Sequence, residues 1–316
     1  MSVYTDARSK PGNKLNTGTN DRELFMINFG EMVLQAWEEV NQYEDLTYKR
    51  SITSGKADAF PIIGRKRDAT EHVPGEIILG GTIEHNEVQV ALDSMLVDSA
   101  FLAEVDELMS NYELSGPYAR QLAESLSTTY DRRIATLHIL ASRVTTAPYT
   151  GGPVPSYYFH ASAKTDASKL EEAAFQAVAY IKERDIGGGA LSYRLPHQQY
   201  LMLARYSGIE GGPVTTGSGN RSSGTVGQIA GIGVKGVNHI PNTNVTTGNV
   251  KFRGNFTTTV GHIGNEMAVA TLNRRGLKVL MKEQDDRLGT LLIASRFCGH
   301  GILRPECSFE VATATR

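Results

Sequence analysis

Apolar positions recur at steps of three and four residues along one long segment, from about Ser115 to about Val144. This spacing predicts an amphipathic α-helix of roughly 40 Å at ~1.5 Å per residue, beginning near Pro117, because proline is tolerated at the first helical position. The predicted apolar face consists of Tyr118, Leu122, Leu126, Tyr130, Ile134, Leu137, Leu140, Ala141 and Val144. The opposite face is charged, which predicts a surface helix, and it carries Arg120, Glu124, Asp131 and Arg132.

The same spacing predicts four further, shorter helices. They cover residues 21–40, residues 94–113, a segment that begins near Ser168, and Pro196 to Tyr206. Ser168 and Glu171 have the spacing of a capping box, and Gly187 is placed to end that helix in the left-handed conformation. Residues 1–20 are polar and predict an extended arm rather than a signal peptide.

Residues 46–93 predict a long β-hairpin with a basic tip, Arg65, Lys66 and Arg67. The segment has too few apolar residues to be stable alone, so we expect it to lie on another surface, such as a second copy of the chain. Further strands are predicted over residues 234–240, 250–260, 277–283, 290–298 and 307–312. The ten glycines from Gly208 to Gly236 predict a loop. Together these elements indicate an α+β protein.

Composition argues against some classes of function. The chain has 316 residues and a formal net charge of −2, so strong sequence-independent binding to nucleic acid across a whole face is disfavoured. No apolar run reaches the ~20 residues needed to cross a membrane. Two cysteines, Cys298 and Cys307, are typical of a protein made in a reducing compartment.

Several short motifs occur in the order found in one known family. Residues 50–64 (RSITSGKADAFPIIG), Pro74-Gly75-Glu76, Leu122-Ala123-Glu124-Ser125-Leu126 and the final residues 299–306 (GHGILRPE) resemble motifs of the major capsid proteins of T-seven-like podoviruses. The order of predicted elements also agrees over nearly the whole chain. The chain is shorter than some members of the family, and the shortening falls after the long helix.

The resemblance implies the Hong Kong 97-like capsid fold. The implied domains are an N-terminal arm and helix (1–45), an extended loop (46–93), a peripheral domain with the long spine helix (94–147 and 271–316), and an axial domain (148–270). In this fold the glycine-rich loop would lie near the centre of a capsomer, where it could adapt to five-fold and six-fold surroundings. We expect no lysine–asparagine cross-link.

The implied function is structural, namely self-assembly into hexamers and pentamers of an icosahedral shell around phage DNA. We expect a virion protein that is assembled in the host cytoplasm with a scaffolding protein and a portal, and with decoration proteins as possible further partners. The double-stranded DNA would be enclosed without sequence-specific binding, and no membrane would be involved. An encapsulin-like nanocompartment shell is the alternative with the same fold.

The basic tip is the predicted inter-subunit contact. We expect Arg65, Lys66 and Arg67 to face acidic side chains on a neighbouring copy, and the candidates are Glu104, Asp106, Glu107 and Glu113. Exposed ion pairs are individually weak, at ~0–1 kcal/mol, but a closed shell repeats the contact many times. A solvated charge cluster without a partner is the alternative interpretation.

Two other patterns resemble a cofactor-binding motif and a metal site, but neither meets the requirements of such a site. Gly231, Gly233 and Gly236 match G-x-G-x-x-G, which leaves a dinucleotide-binding oxidoreductase as a remote alternative, but a strand and turn are predicted where a helix should follow. Cys298, His300 and Cys307 lack the spacing of a structural zinc site. No nucleophile lies in an elbow or triad motif, so we predict no enzyme, cofactor or metal.

Overall fold

The computed structural model describes residues 21–66, 69, 71–75, 77–78, 80–103, 115–206, 224–284 and 287–315. The four α-helices within these ranges are α1 (Asp21–Val40), α2 (Ser115–Ser142), α3 (Ala167–Glu183) and α4 (His197–Tyr206). The first seven strands are β1 (Tyr48–Ser51), β2 (Ala57–Ile63), β3 (His85–Ala91), β4 (Leu96–Ala103), β5 (Ser156–Phe159), β6 (Ser192–Pro196) and β7 (Gln228–Ile229). The remaining strands are β8 (Ile232–Val237), β9 (Asn244–Val245), β10 (Gly254–Asn255), β11 (Thr259–Gly264), β12 (Val269–Gln284), β13 (Gly289–Ile302) and β14 (Ser308–Ala312).

The chain forms two compact units. The first comprises Met1–Asn41, Met95–Thr128 and Arg275–Arg296, and the second comprises Gln42–Ser94, Thr129–Arg274 and Phe297–Arg316. Helix α2 and strands β12 and β13 contribute residues to both. None of the helices within the described ranges combines the length and the apolar character needed to cross a membrane.

In the first unit, the prediction of a helix over residues 94–113 is wrong for its first half. Leu96–Ala103 is strand β4, and it pairs antiparallel with β13, with Phe101 opposite Leu291. Leu96 is buried and Val97 is exposed, as expected of a strand with one covered face. The neighbouring strand therefore overrode a local helical pattern. Residues 104–113 lie outside the described ranges.

Helix α1 agrees with its prediction and carries the anchor of the first unit. Phe29, Val33 and Trp37 are buried, and the guanidinium of Arg296 lies 4.6 Å from the centre of the Trp37 ring. A cation over an aromatic face is favourable, most of all for tryptophan. Trp37 is therefore a packing anchor of the first unit.

The second unit is built on a six-stranded sheet with the order β5-β14-β11-β6-β8-β7. One face of this sheet packs against α3 and α4 in an apolar core that contains Leu170, Tyr193, Ile263 and Val311. Apart from the irregularity in β11 between Thr259 and Gly261, every second residue of these strands points into that core, and the alternate residues point to the other face.

The ends of α3 differ from the prediction. Its N-cap is Asp166, whose side chain accepts a hydrogen bond from the Ser168 amide, so the helix begins before the predicted capping box. The left-handed residue after the helix is Asp185, with φ of 49°, and not Gly187. Aspartate tolerates this conformation better than most residues, and it therefore substitutes for glycine here.

Helix α2 spans nearly the predicted range, but its polar face is misassigned at one position. Asp131 is fully buried, whereas Arg120, Glu124 and Arg132 are exposed. The Asp131 carboxylate accepts a hydrogen bond from the Gln42 amide and lies 2.8 Å from Nδ1 of His239. Periodicity could not reveal partners that come from distant parts of the chain.

The predicted strands are mostly present with changed bounds. Residues 277–283 and 290–298 belong to the longer strands β12 and β13. The predicted strand over residues 250–260 is wrong, because Val250–Phe252 is a short 3-10 helix and β11 begins at Thr259. Of the glycine-rich segment, residues 207–223 lie outside the described ranges.

The predicted hairpin is present as β2 and β3, paired antiparallel from Ala57 opposite Ala91 to Ile63 opposite His85. It has more of a core than predicted. Phe60, Ile62 and Val90 are buried and cluster with Ala270, Leu272 and Leu303 of the same chain. The hairpin stem therefore packs on its own subunit.

Candidate functional site

The hairpin tip begins at Gly64, where the regular pairing ends. The Gly64 amide donates a hydrogen bond to the Glu84 carbonyl oxygen at 2.7 Å, and the ring of Tyr149 lies against Gly64. A Cβ on Gly64 would lie 2.9 Å from that ring, so a larger residue would displace Tyr149. The Asn86 side-chain amide also donates to the Pro148 carbonyl at 2.5 Å. These contacts hold the stem and leave residues 65–84 as the tip.

The predicted basic residues are only partly placed. Arg65 forms an ion pair of 2.7 Å with Asp185 of the same chain, with both side chains more than half exposed. The Lys66 side chain lies over Gly81. Arg67 and the candidate partners Glu104, Asp106, Glu107 and Glu113 lie outside the described ranges. The contact between basic tip and acidic neighbour therefore stays a prediction.

A cleft of ≈ 840 Å³ lies beside this ion pair. Its walls are the end of α3, the turn after α2 and the start of the tip, and it is lined by Arg65, Tyr149, Thr150, Gly151, Gly152, Pro153, Val154, Glu183, Arg184 and Asp185. Acidic and basic side chains are mixed along this lining, so its charge selects neither anions nor cations.

The tip also carries exposed apolar side chains that the sequence analysis did not single out. Val73 is 56% exposed, Ile77 86%, Ile78 78% and Ile83 44%. Four such residues in one short segment are unusual for a surface that faces only water. The sequence signal for this exposed apolar surface was a set of isoleucines that fit neither a helical nor a strand period.

The glycines of the final motif have a packing role beside the hairpin stem. A Cβ on Gly299 would overlap the carbonyl oxygen of Ala91 and lie 2.6 Å from the Cα atom of Leu92. A Cβ on Gly301 would lie 2.7 Å from the Val90 side chain. The motif therefore allows the end of β13 to approach β3 closely, which larger residues would prevent.

The residue between these glycines is buried in a hydrogen-bonded group. The His300 amide donates to the Asp93 carboxylate at 2.9 Å, and His300 Nδ1 lies 3.0 Å from the Thr271 hydroxyl. Its Nε2 lies 3.6 Å from the Cys298 sulfur. Cys307 instead contacts the Gly187 carbonyl oxygen. Across the ranges that the structure describes, no three histidine, cysteine or carboxylate side chains converge as a metal site would require.

The dinucleotide-like motif lies in a hairpin turn. Ala230 and Gly231 have φ values of 53° and 79°, and they connect β7 to the antiparallel strand β8. Gly233 and Gly236 lie within β8 itself. The required order of strand, glycine loop and helix is absent at this described segment, so these glycines do not form a dinucleotide-binding loop.

The polar face of the six-stranded sheet was also missed. Arg194 is buried, and its guanidinium binds the Asp45 carboxylate through two contacts of 2.7 and 2.8 Å. Lys235 binds the same carboxylate at 2.6 Å. Burial opposes ionisation of Asp45, but the hydrogen bonds and charges of these two cations lower its pKa overall.

The family comparison gives a match over most of the chain. A family profile described as "Gp10A-like: Major capsid protein" matches residues 59–312. The major capsid protein of Escherichia phage T7 is 32% identical over 110 residues, which are 34% of this chain and 32% of that protein. The aligned segment thus spans about a third of that curated relative.

Solved structures extend the likeness to the whole fold. The chain of the "Capsid structure of the Cyanophage P-SCSP1u" is 29% identical, with a TM-score of 0.78, and the match covers 99% of this chain and 100% of that chain. The chain of the bacteriophage PhiM1 mature capsid has a TM-score of 0.71 at 14% identity, covering 87% of this chain and 88% of that one. At that identity, the second match supports the fold alone.

Proposed function

The chain belongs to the Gp10A-like family of major capsid proteins and has the Hong Kong 97-like fold, and we propose that it builds an icosahedral shell from hexamers and pentamers. As a member of that family it is a protein of the virion capsid, and its role is structural. The observation that carries the proposal is the whole-chain likeness to a cyanophage capsid subunit. Assembly would take place in the host cytoplasm, and the shell would enclose double-stranded DNA.

We propose a division of the chain into the domains of the capsid fold. We assign residues 1–45 to the arm and first helix, 46–93 to the extended loop, 94–147 and 271–316 to the peripheral domain, and 148–270 to the axial domain. Residues 208–236 would then lie near the capsomer centre. A subunit position in an assembled shell with this segment far from the capsomer axis would contradict that part of the assignment.

The extended loop supplies an inter-subunit contact in this proposal. Its stem packs on its own chain, whereas Ile77 and Ile78 of the tip remain almost fully exposed. Burying both on a neighbouring copy would stabilise the assembly by ~2 kcal/mol or more for each contact, at ~25 cal/mol per Å² of apolar surface. The basic residues Arg65, Lys66 and Arg67 would add selectivity through acids of that neighbour.

The remaining partners follow from the same proposal. A scaffolding protein and a portal would direct closure of the shell, and decoration proteins could bind its outside. The net charge of −2 supports enclosure of DNA without a strong grip, because a highly basic lining would hold the genome by counterion release. No catalytic step is needed for this role.

Cryo-electron microscopy of particles isolated from cells that make the chain in its native setting tests the proposal. We expect closed shells with five-fold and six-fold capsomers, a tail at one vertex, and DNA that resists added nuclease. Shells of the same fold that hold protein cargo and no DNA would favour the encapsulin-like alternative. A protein that remains monomeric in those cells would overturn the proposal.

A further inference from the structure

A row of polar side chains crosses one face of the six-stranded sheet. Glu310 of β14 is the register partner of His262 in β11, His262 is the partner of Arg194 in β6, and Arg194 is the partner of Lys235 in β8. Register partners point to the same face of a sheet. The opposite face is the apolar core, so polar residues are concentrated on one side only.

Two histidines form the buried centre of this row. The ring of His262 lies between those of His138 and Tyr43, with ring centres 5.2 and 5.6 Å apart and an interplanar angle of 22° in both pairs. The guanidinium of Arg194 lies 5.4 Å from the centre of the Tyr43 ring. Both histidines and Tyr43 have a relative exposure of 0%.

The imidazoles have few polar partners of their own. His138 Nε2 lies 2.9 Å from the Leu46 carbonyl oxygen, so it carries a proton and donates it. Among the described residues, Nδ1 of His138 and both ring nitrogens of His262 have no hydrogen-bond partner. These surroundings therefore favour the neutral form of both imidazole rings.

The charged groups around the two histidines form ion pairs or hydrogen bonds with other residues. Asp45, from the segment before β1, is bound by Arg194 and Lys235, and Asp131 of α2 is bound by His239 and the Gln42 amide. Glu310 of β14 is bound by Arg143, which follows α2. No described carboxylate is thus hydrogen-bonded to either histidine.

The same cluster holds the segment that connects α1 to β1, residues 42–46. The Gln42 carbonyl accepts a hydrogen bond from Arg194 at 2.8 Å, and the Leu46 carbonyl accepts the bond from His138. Tyr43 is the outer ring of the stack. The packing of neutral rings thus contributes to the retention of this segment, beside the ion pairs of Asp45 with Arg194 and Lys235.

We propose that the His138–His262 pair is an acid-release device, in which uptake of a proton by either ring breaks the stack and frees residues 42–46. An imidazolium would lie 5.2 Å from a second imidazole and would be repelled by the Arg194 cation, and no described carboxylate is hydrogen-bonded to either ring. A buried, unpaired charge is costly, and opening of the stack to water relieves that cost. This inference concerns the folded subunit and does not depend on the proposed function.

The direction of the effect follows from burial. Burial lowers the pKa of His138 from 6.5 to about 4, and burial, with the neighbouring His138, lowers that of His262 well below its usual value. The unfolded chain binds these protons below pH ~6.5 while the folded chain excludes them. Stability from this pair is therefore complete above that pH and is lost as the pH falls towards 4. Burial raises the pKa of Asp131, which has the opposite sign.

Denaturation of the full chain between pH 4.5 and 7.5 tests the proposal. Two excluded protons should raise the unfolding equilibrium constant by about 100-fold for each pH unit below ~6, and one proton by about tenfold. His262→Phe keeps a stacking ring and His138→Gln keeps an N–H donor for Leu46, so each should reduce the slope by about one proton. His72→Phe alters an exposed histidine and should leave the slope unchanged.

Hydrogen–deuterium exchange on the unaltered chain covers the case in which a variant does not fold. Mass spectrometry should show slow exchange at the ring carbon of His138 and His262 at pH 7, and fast exchange at His72. As the pH falls below ~6, the amides of residues 42–46 should lose protection before the amides of β11. The proposal is overturned if the pH slopes are identical in all variants, or if residues 42–46 stay protected at pH 4.5.

Discussion

The guanidinium of Arg143 binds the carboxylate of Glu310 through two contacts, Nε to Oε2 at 2.9 Å and Nη2 to Oε1 at 2.6 Å. The Glu310 side chain is fully buried, and the Thr259 hydroxyl also donates to it at 2.7 Å. A carboxylate at this depth is tolerated because it forms a bidentate ion pair with the planar guanidinium and accepts a hydrogen bond from a hydroxyl. This pair ties the end of α2 to the C-terminal strand β14.

Replacement of Arg143 by alanine should destabilise the subunit by about 3–5 kcal/mol, because it leaves the Glu310 carboxylate buried without its cation. Chemical denaturation at neutral pH measures the loss. Lys169→Ala is the control, since Lys169 forms an exposed ion pair with Glu172 on α3 and its loss should cost at most about 0.5 kcal/mol. Equal losses in the two variants would contradict the role assigned to Arg143.

Gly299→Ala should destabilise the hairpin stem by about 1–3 kcal/mol, because the added methyl group would meet the backbone of Ala91 and Leu92, which cannot rotate away. Gly276→Ala is the matched control in β12, where an added Cβ meets no atom within 4 Å. Denaturation midpoints give the comparison. A Gly299→Ala variant as stable as Gly276→Ala would show that the close approach is not required.

Ile77→Asp combined with Ile78→Asp should leave the free subunit folded but block assembly. Both side chains are exposed in the single chain, so their replacement should change its stability by less than about 0.5 kcal/mol. Sedimentation of shells measures assembly, and the thermal midpoint of the unassembled chain measures folding. Val250→Asp introduces an acid at another exposed apolar position and serves as the control. Normal shells from the double variant would remove the apolar tip from the proposed contact.

Arg65→Glu with Lys66→Glu should slow assembly most strongly at low salt, where attraction to acids of a neighbour is least screened. Light scattering at several salt concentrations follows the rate. Asp185→Asn is the control, because it removes the acid that Arg65 binds within its own chain and leaves the tip basic. Assembly of the charge-reversed variant at normal rates in both low and high salt would identify the tip as a solvated cluster.

The thiols of Cys298 and Cys307 should resist alkylation in the folded chain. Both are buried, and burial raises the pKa of Cys307 to about 12, so the reactive thiolate is scarce at pH 8. In denaturant the Cys307 thiol should return towards an ordinary pKa of ~8.5, and both thiols should become accessible and react. Mass spectrometry after iodoacetamide treatment gives the result. Rapid labelling of Cys307 before unfolding would contradict the burial argument.

Much of the fold could be predicted from local patterns. The apolar spacing of α2 indicated its length to within about two residues, and the pattern of residues 46–93 indicated the hairpin. These predictions succeeded because the apolar positions of α2 are buried, although residues 134–139 are buried on every side, and because the hairpin stem buries one face of each strand. The prediction from local pattern was wrong for β4, because Leu96–Ala103 takes its conformation from pairing with β13.

The candidate contacts were likewise only partly predictable from the sequence. The sequence by itself determined that residues 65–67 are a basic cluster beyond a hairpin, and its ordered motifs determined the family. Only the tertiary structure decided that Ile77 and Ile78 are uncovered, that Asp131 is buried, and that Glu310, His262, Arg194 and Lys235 form one row. Helical and strand periods report which residues share a face of one element. Burial and charge pairing depend instead on partners far apart in the chain, which come together only when the sheet and helix pack.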